Sequence, residues 1–204
     1  MMSVYQIFNN LIPGVSGIIL FWAIIVTVVV AAAVTYFLKT SSSKSGDRKA
    51  LSKKISESVT EIISAVSLHD EAEGEFHYDH ICLTSTGILV VDVKDFRGLL
   101  FGGANTDQWT QVLGSRSYKF ENPLYHNREK VQTVKALIDE EIPVFGCVVF
   151  TSAGAFPKDQ PKGVYTHNKF DEEFEYSKHS DNVSAQFTKV WQVLTSGVSP
   201  IAEK

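Results

Sequence analysis

Asp79, Asp92 and Lys94 fall within one short stretch, HYDHICLTSTGILVVDVKDFRG (His77 to Gly98), and their types suit metal-assisted hydrolysis. Two carboxylates, joined by the backbone carbonyl of Val93, are hard oxygen ligands of the kind Mg²⁺ or Mn²⁺ takes. Such a cation acidifies a bound water and stabilises charge on a phosphate oxygen. A lysine beside that water can orient it or help remove its proton. The same three residues also suit a plain ion pair at a sheet edge, and Asp-x-Lys on a strand is common.

The stretch reads as two apolar strands joined by a tight turn. Residues two apart on a strand share a face, so Asp92 and Lys94 point the same way. A turn at Thr86 and Gly87 sets Asp79 opposite Lys94 and Ile81 opposite Asp92, so the two acids and the lysine converge at one end of the hairpin. A three-residue turn shifts the pairing by one and needs a bulge to restore it.

Other elements must hold that hairpin. Ser52, as a cap, begins a helix on which Ile55, Val59, Ile62, Ile63 and Val66 keep helical spacing, with Glu57 and Glu61 on one edge. HDEAEGE is an acidic turn. FRGLLFGG and DQWTQVLGSRSYKFENPL read as a β-meander with glycine punctuation. HNREKVQTVKALIDEE (His126 to Glu141) is an amphipathic helix, PVFGCVVFTS a strand buried on both faces, and VSAQFTKVWQVLTSG (Val183 to Gly197) a last helix. This order implies an α/β layer fold with a mixed sheet. Cys82 and Cys147 sit in apolar strands without metal-ligand spacing and read as small buried hydrophobes. His80 and Trp109 read as packed residues.

The chain of 204 residues suits one domain with appendages. Residues 1–38 contain no Asp, Glu, Lys, Arg or His. Within them GIILFWAIIVTVVVAAAVTYFL (Gly17 to Leu38) makes a helix of about 33 Å, close to bilayer hydrocarbon thickness. A cleaved leader fits less well, since no basic residue precedes the run. Lys39, Lys44, Arg48, Lys49, Lys53 and Lys54 follow it, so the positive-inside rule puts the C-terminal body in the cytoplasm and the N-terminus outside. The expected organisation is a short outer segment at 1–13, a transmembrane helix at 14–38 in contact with the lipid bilayer, a basic flexible linker at 39–50 and a folded domain at 51–204. A net charge of −4 excludes a broad electrostatic footprint for nucleic acid. Between Lys94 and Lys135, seven Lys/Arg against four Asp/Glu permit a local one.

His77 to Gly98 resembles the hallmark of the nuclease-related domain (NERD) family, Q-I-D-H-x-x-x-x-x-x-G-I-x-V-I-E-T-K-x-x-x-G. GGANTDQWTQVLGSRSYKFENPLYHNREKVQTVKAL is similar to that family's later segment, and PVFGCVVFTS to its next strand; the resemblance covers about Leu51 to Ser152. It implies a restriction-endonuclease-like (PD-(D/E)xK) mixed sheet flanked by helices, here preceded by one transmembrane helix, and metal-dependent cutting of DNA. Asp79 then takes the place of the first metal-binding acid, Asp92 that of the family's usual glutamate, and Lys94 that of the catalytic lysine. Glu57, with Glu61 second, stands nearest to the acid expected on the first helix. Gln108, Asn122, His126, Asn127 and Arg128 are the implied substrate contacts, His126 standing where glutamine is usual. A nuclease fold that binds nucleic acid or a protein partner without cleavage is the alternative, and a structural membrane adaptor the third reading.

Overall fold

The computed structural model describes residues 15–70, 74–138, 142–174 and 185–201. The chain divides into two compact units, Met1–Gly46 and Asp47–Lys204. A helix, α1 (Val15–Ser58), runs through the boundary. In the first unit its side chains are described over 22–35, where Trp22, Ile24, Val26, Val28, Val29, Val30 and Val34 are exposed. Among the described residues no helix is long and apolar enough to cross a membrane. The expected outer segment 1–13 lies outside the described residues.

Two expectations change at α1. Residues 39–50, read as a flexible linker, are helical, and the helix ends at Ser58 instead of continuing to Val66. Ile62, Ile63 and Val66 belong to a strand, β1 (Glu61–Asp70). Helical spacing is there by coincidence; pairing with the next strand, from Glu61↔Leu83 to Asp70↔Gly74, decides the structure.

The second unit is built on a six-stranded mixed sheet in the order β10-β1-β2-β3-β7-β9. Its members are β1, β2 (Gly74–Thr84), β3 (Gly87–Lys94), β7 (Val144–Phe150), β9 (Val164–Thr166) and β10 (Ser199–Pro200). The strands from β10 to β3 pair antiparallel, and β3, β7 and β9 run parallel. The meander forms a second mixed sheet, β6-β5-β4-β8, from β4 (Gly98–Phe101), β5 (Gln108–Leu113), β6 (Arg116–Glu121) and β8 (Gly154–Ala155). Among the described residues this unit also holds the end of α1 and three further α-helices: α2 (Pro123–Ile138), a single-turn α3 (Phe170–Glu173) and α4 (Ala185–Gly197).

Strand β3 is buried on both faces, and its period of two sorts the core into layers. Ile88 and Val90 pack with Ile81, Leu83, Val131, Val134, Val190 and Trp191, under α2 and α4. Leu89, Val91 and Val93 pack with Cys82, Cys147, Leu51, Ile55 and Val59, under α1. Asp92 therefore lies on the α2 side. A third cluster joins the meander to the main sheet through Trp109 and Phe150, whose rings stack at 6.1 Å. Gly146 lets α2 approach β7 closely: a Cβ there would stand 2.1 Å from Asn127 Oδ1.

Candidate functional site

The hairpin carrying the acids turns at Ser85 and Thr86. Thr84 pairs with Gly87, and the hydroxyl of Thr84 donates to the Gly87 carbonyl at 2.8 Å. Gly87, at φ 142, is required, because a Cβ would stand 2.2 Å from the Pro143 carbonyl oxygen. The register is thus two residues from that expected: Ile81 faces Val90, and the ladder ends at His80↔Val91, so Asp79 does not stand opposite Lys94. A shift of two preserves the faces, and Asp79 still reaches the end of β3. Its Oδ2 accepts the Val93 N–H at 2.8 Å. Beside it in β1, Ala65 has φ 53, and pairing skips from Ser64↔His80 to Val66↔Tyr78.

Two cations meet these acids. Arg48, on α1, pairs through Nη2 with Asp79 Oδ1, and its Nη1 donates to the Val93 carbonyl at 3.3 Å. Asp47 beside it accepts a hydrogen bond from the Ser152 hydroxyl, so this turn of α1 is fastened at the carboxyl ends of both β3 and β7. Lys130, on α2, donates to Asp92 Oδ1 at 2.6 Å; Asp92 is wholly buried and Lys130 partly so. Asp92 Oδ2 is buried with no hydrogen-bond partner among the described residues. Lys94, half-buried two residues on, makes no ion pair or side-chain hydrogen bond among the described residues.

A buried carboxylate oxygen without a donor is a place for a cation or a proton donor. With Asp79 and the Val93 carbonyl it completes a set of hard oxygens, so the residues present fit a divalent metal by donor chemistry. Among the described residues no group of three or more His, Cys, Asp or Glu side chains is placed to hold a metal.

The other expected residues divide. Glu57 is exposed and pairs with Lys53 at 3.7 Å on the helix surface. It lies nine residues, about 13 Å along the helix, from Arg48, so the first helix brings a cation and not an acid to the hairpin. Glu61 lies on β1 and accepts the Trp191 indole N–H at 2.7 Å. Asn122 is buried; its amide donates to the carbonyls of Gly103, Ala104 and Thr106, and its Oδ1 accepts the Leu124 N–H at the start of α2. Asn127, also buried, donates to the carbonyls of Val90 and Cys147, bridging β3 and β7. These two amides hold the frame, and the hydrogen bonds they make are internal. His126 stands exposed between Glu121 at 2.8 Å and Glu129 at 3.1 Å. The Glu121 hydrogen bond, more than that of Glu129, holds its pKa above the ordinary value. Arg128 lies over the Tyr125 ring, and Gln108 is exposed at the start of β5.

Buried His80 bridges the hydroxyls of Ser52 and Ser64 at 3.0 and 2.7 Å, and burial lowers its pKa. Cys82 and Cys147 are both buried, and burial pushes the Cys82 thiol well above the usual thiol range. Trp109 is wholly buried, its N–H on the Gly103 carbonyl. Sequence reading missed Arg48, which lay in the supposed linker. It missed Lys130 too, although four residues after His126 and three after Asn127 is the spacing of one helix face.

The family model described as "Nuclease-related domain" matches residues 43–151, a span holding Arg48, Asp79, Asp92, Lys94 and Lys130. An uncharacterised protein of Bacillus anthracis is 27% identical over 108 residues, covering 53% of this chain and 49% of that protein. The chain thus spans about half the length of that curated relative. No solved structure matches the chain. With the family model covering more than half of its residues, the chain belongs to the nuclease-related domain family.

Proposed function

We propose that the protein is a membrane-anchored, divalent-metal-dependent nuclease that hydrolyses phosphodiester bonds of DNA at the cytoplasmic face. One observation carries this reading: among the described residues the buried Asp92 Oδ2 has no hydrogen-bond partner, at the end of β3 where Asp79 accepts the Val93 N–H and which Lys94 closes. Asp79, Asp92 and the Val93 carbonyl would hold Mg²⁺ or Mn²⁺, which when bound supplies an acidified water and charge stabilisation on phosphate. Lys94, as its ammonium, would donate a hydrogen bond to the attacking water and orient it. Lys130 keeps Asp92 fixed through Oδ1, leaving Oδ2 for the cation. Arg128 and Gln108, both outside the core, are within reach of a passing strand's phosphates or bases. The restriction-endonuclease-like superfamily is the setting in which such a hairpin has this use.

The anchor rests on the apolar run Gly17–Leu38. Its described side chains point outward, and the hydroxyls of Thr27 and Thr35 donate to the carbonyls of Ala23 and Ala31, at 2.6 and 2.9 Å. A helix in lipid has to satisfy its polar atoms in this way.

A second reading, a module that binds nucleic acid or a protein partner without cutting, draws on the engagement of both acids by Arg48 and Lys130. One experiment separates the two. The full chain in detergent is incubated with labelled linear, circular and single-stranded DNA, with Mg²⁺, Mn²⁺ or EDTA, beside Asp92→Asn and Lys94→Ala. Metal-dependent cutting lost in both variants is expected. Retention of DNA on a gel with no cutting by folded wild type would establish the binding module instead.

A further inference from the structure

Resting on that reading, we infer that Arg48 is a built-in competitor for the divalent cation, holding two of the oxygens that the metal needs. Its guanidinium bridges Asp79 Oδ1 and the Val93 carbonyl oxygen. The other Asp79 oxygen is committed to the Val93 N–H. Lys130 takes only one oxygen of Asp92, so it leaves the metal a place, whereas Arg48 does not. A guanidinium and a dication repel each other, and the same lone pairs cannot serve both.

The contact is built to be reversible. The side chains of Arg48 and Asp79 are 45% and 26% exposed, so the pair is weak and the arginine stem can swing into water. Asp47 holds the same turn of α1 to Ser152, so that turn stays docked when the guanidinium leaves. Without metal, the arginine neutralises Asp79 and closes the site electrically. Displaced, it carries a planar set of donors at the site's margin, the geometry that suits a phosphate group. Metal entry and the freeing of a phosphate-binding arginine are then one event.

The test uses the full chain in detergent and Mn²⁺ alone as the probe, with free Mn²⁺ read by electron paramagnetic resonance. Wild type is compared with Arg48→Gln and Arg48→Lys, and circular dichroism checks that each is folded. Arg48→Gln is expected to bind Mn²⁺ about fivefold more tightly, the equivalent of about 1 kcal/mol. Arg48→Lys, which keeps a charge but loses the fork, falls between and serves if the glutamine variant does not fold. Equal or weaker binding by these variants, with wild type binding normally, would overturn the competitor role and leave the metal reading standing. No Mn²⁺ binding by any form would overturn both.

Discussion

Replacing Lys130 by methionine removes the only described hydrogen-bond partner of a wholly buried carboxylate. At 2.6 Å, and with an effective dielectric constant of about 20, the lost attraction is about 6 kcal/mol gross. Relief from desolvating the ammonium returns part of that, and broken buried pairs typically cost about 3–5 kcal/mol. Methionine keeps most of the side-chain volume, so a cavity contributes little. Urea unfolding of the full chain, followed by the fluorescence of buried Trp109 and Trp191, reads the second unit. Lys130→Met should lower its stability by about 3–5 kcal/mol. Asp92→Leu with Lys130→Met should recover at least about 2 kcal/mol of that, because no unpaired charge remains buried. A loss below about 1 kcal/mol in the single variant, or a double variant costing the sum of both singles, would refute the reasoning.

Two further expectations concern α2. Gly146→Ala puts a Cβ 2.1 Å from Asn127 Oδ1 and should cost about 1–3 kcal/mol by overpacking, seen as a lower urea midpoint; an unchanged midpoint would mean that α2 does not rest on β7 through that glycine. His126 binds its proton more tightly folded than unfolded, so its stabilisation is full below about 6.5 and is lost as pH rises through the raised folded value. His126→Gln should therefore fall behind wild type at about pH 5.5 and match it at about pH 9, and a gap independent of pH would remove the glutamates as the cause.

The hairpin, the meander, α2, β7 and α4 were legible because in each a helical spacing or an apolar strand run is bounded by its own stop signals. The boundary after Ser58 was not. Ile55, Val59, Ile62 and Val66 fit a helix as well as the first two of them fit α1, and only the pairing of Ile62 with Cys82 breaks the pattern. The hairpin register was off by two residues because a hydroxyl on Thr84, not a glycine inside the loop, closes the turn. That error was harmless to the face assignment, since strands repeat every two residues. The acids could be read from the sequence because they lie on one hairpin. The cations could not, because their positions depend on how two distant helices dock.

That separation fixes the order in which the chain can assemble its charges. Asp79 and Asp92 approach each other by closing a two-residue turn, the shortest loop available. Arg48 and Lys130 lie 31 and 38 residues from the acids they meet, and each arrives only when its helix closes a much larger loop. The hairpin alone carries two acids against one lysine at one strand end, and it is the docking of each helix that neutralises the remaining negative charge. Helix docking and charge neutralisation are thereby coupled during folding. A nascent hairpin that has not yet gained both helices announces its incompleteness as excess negative charge.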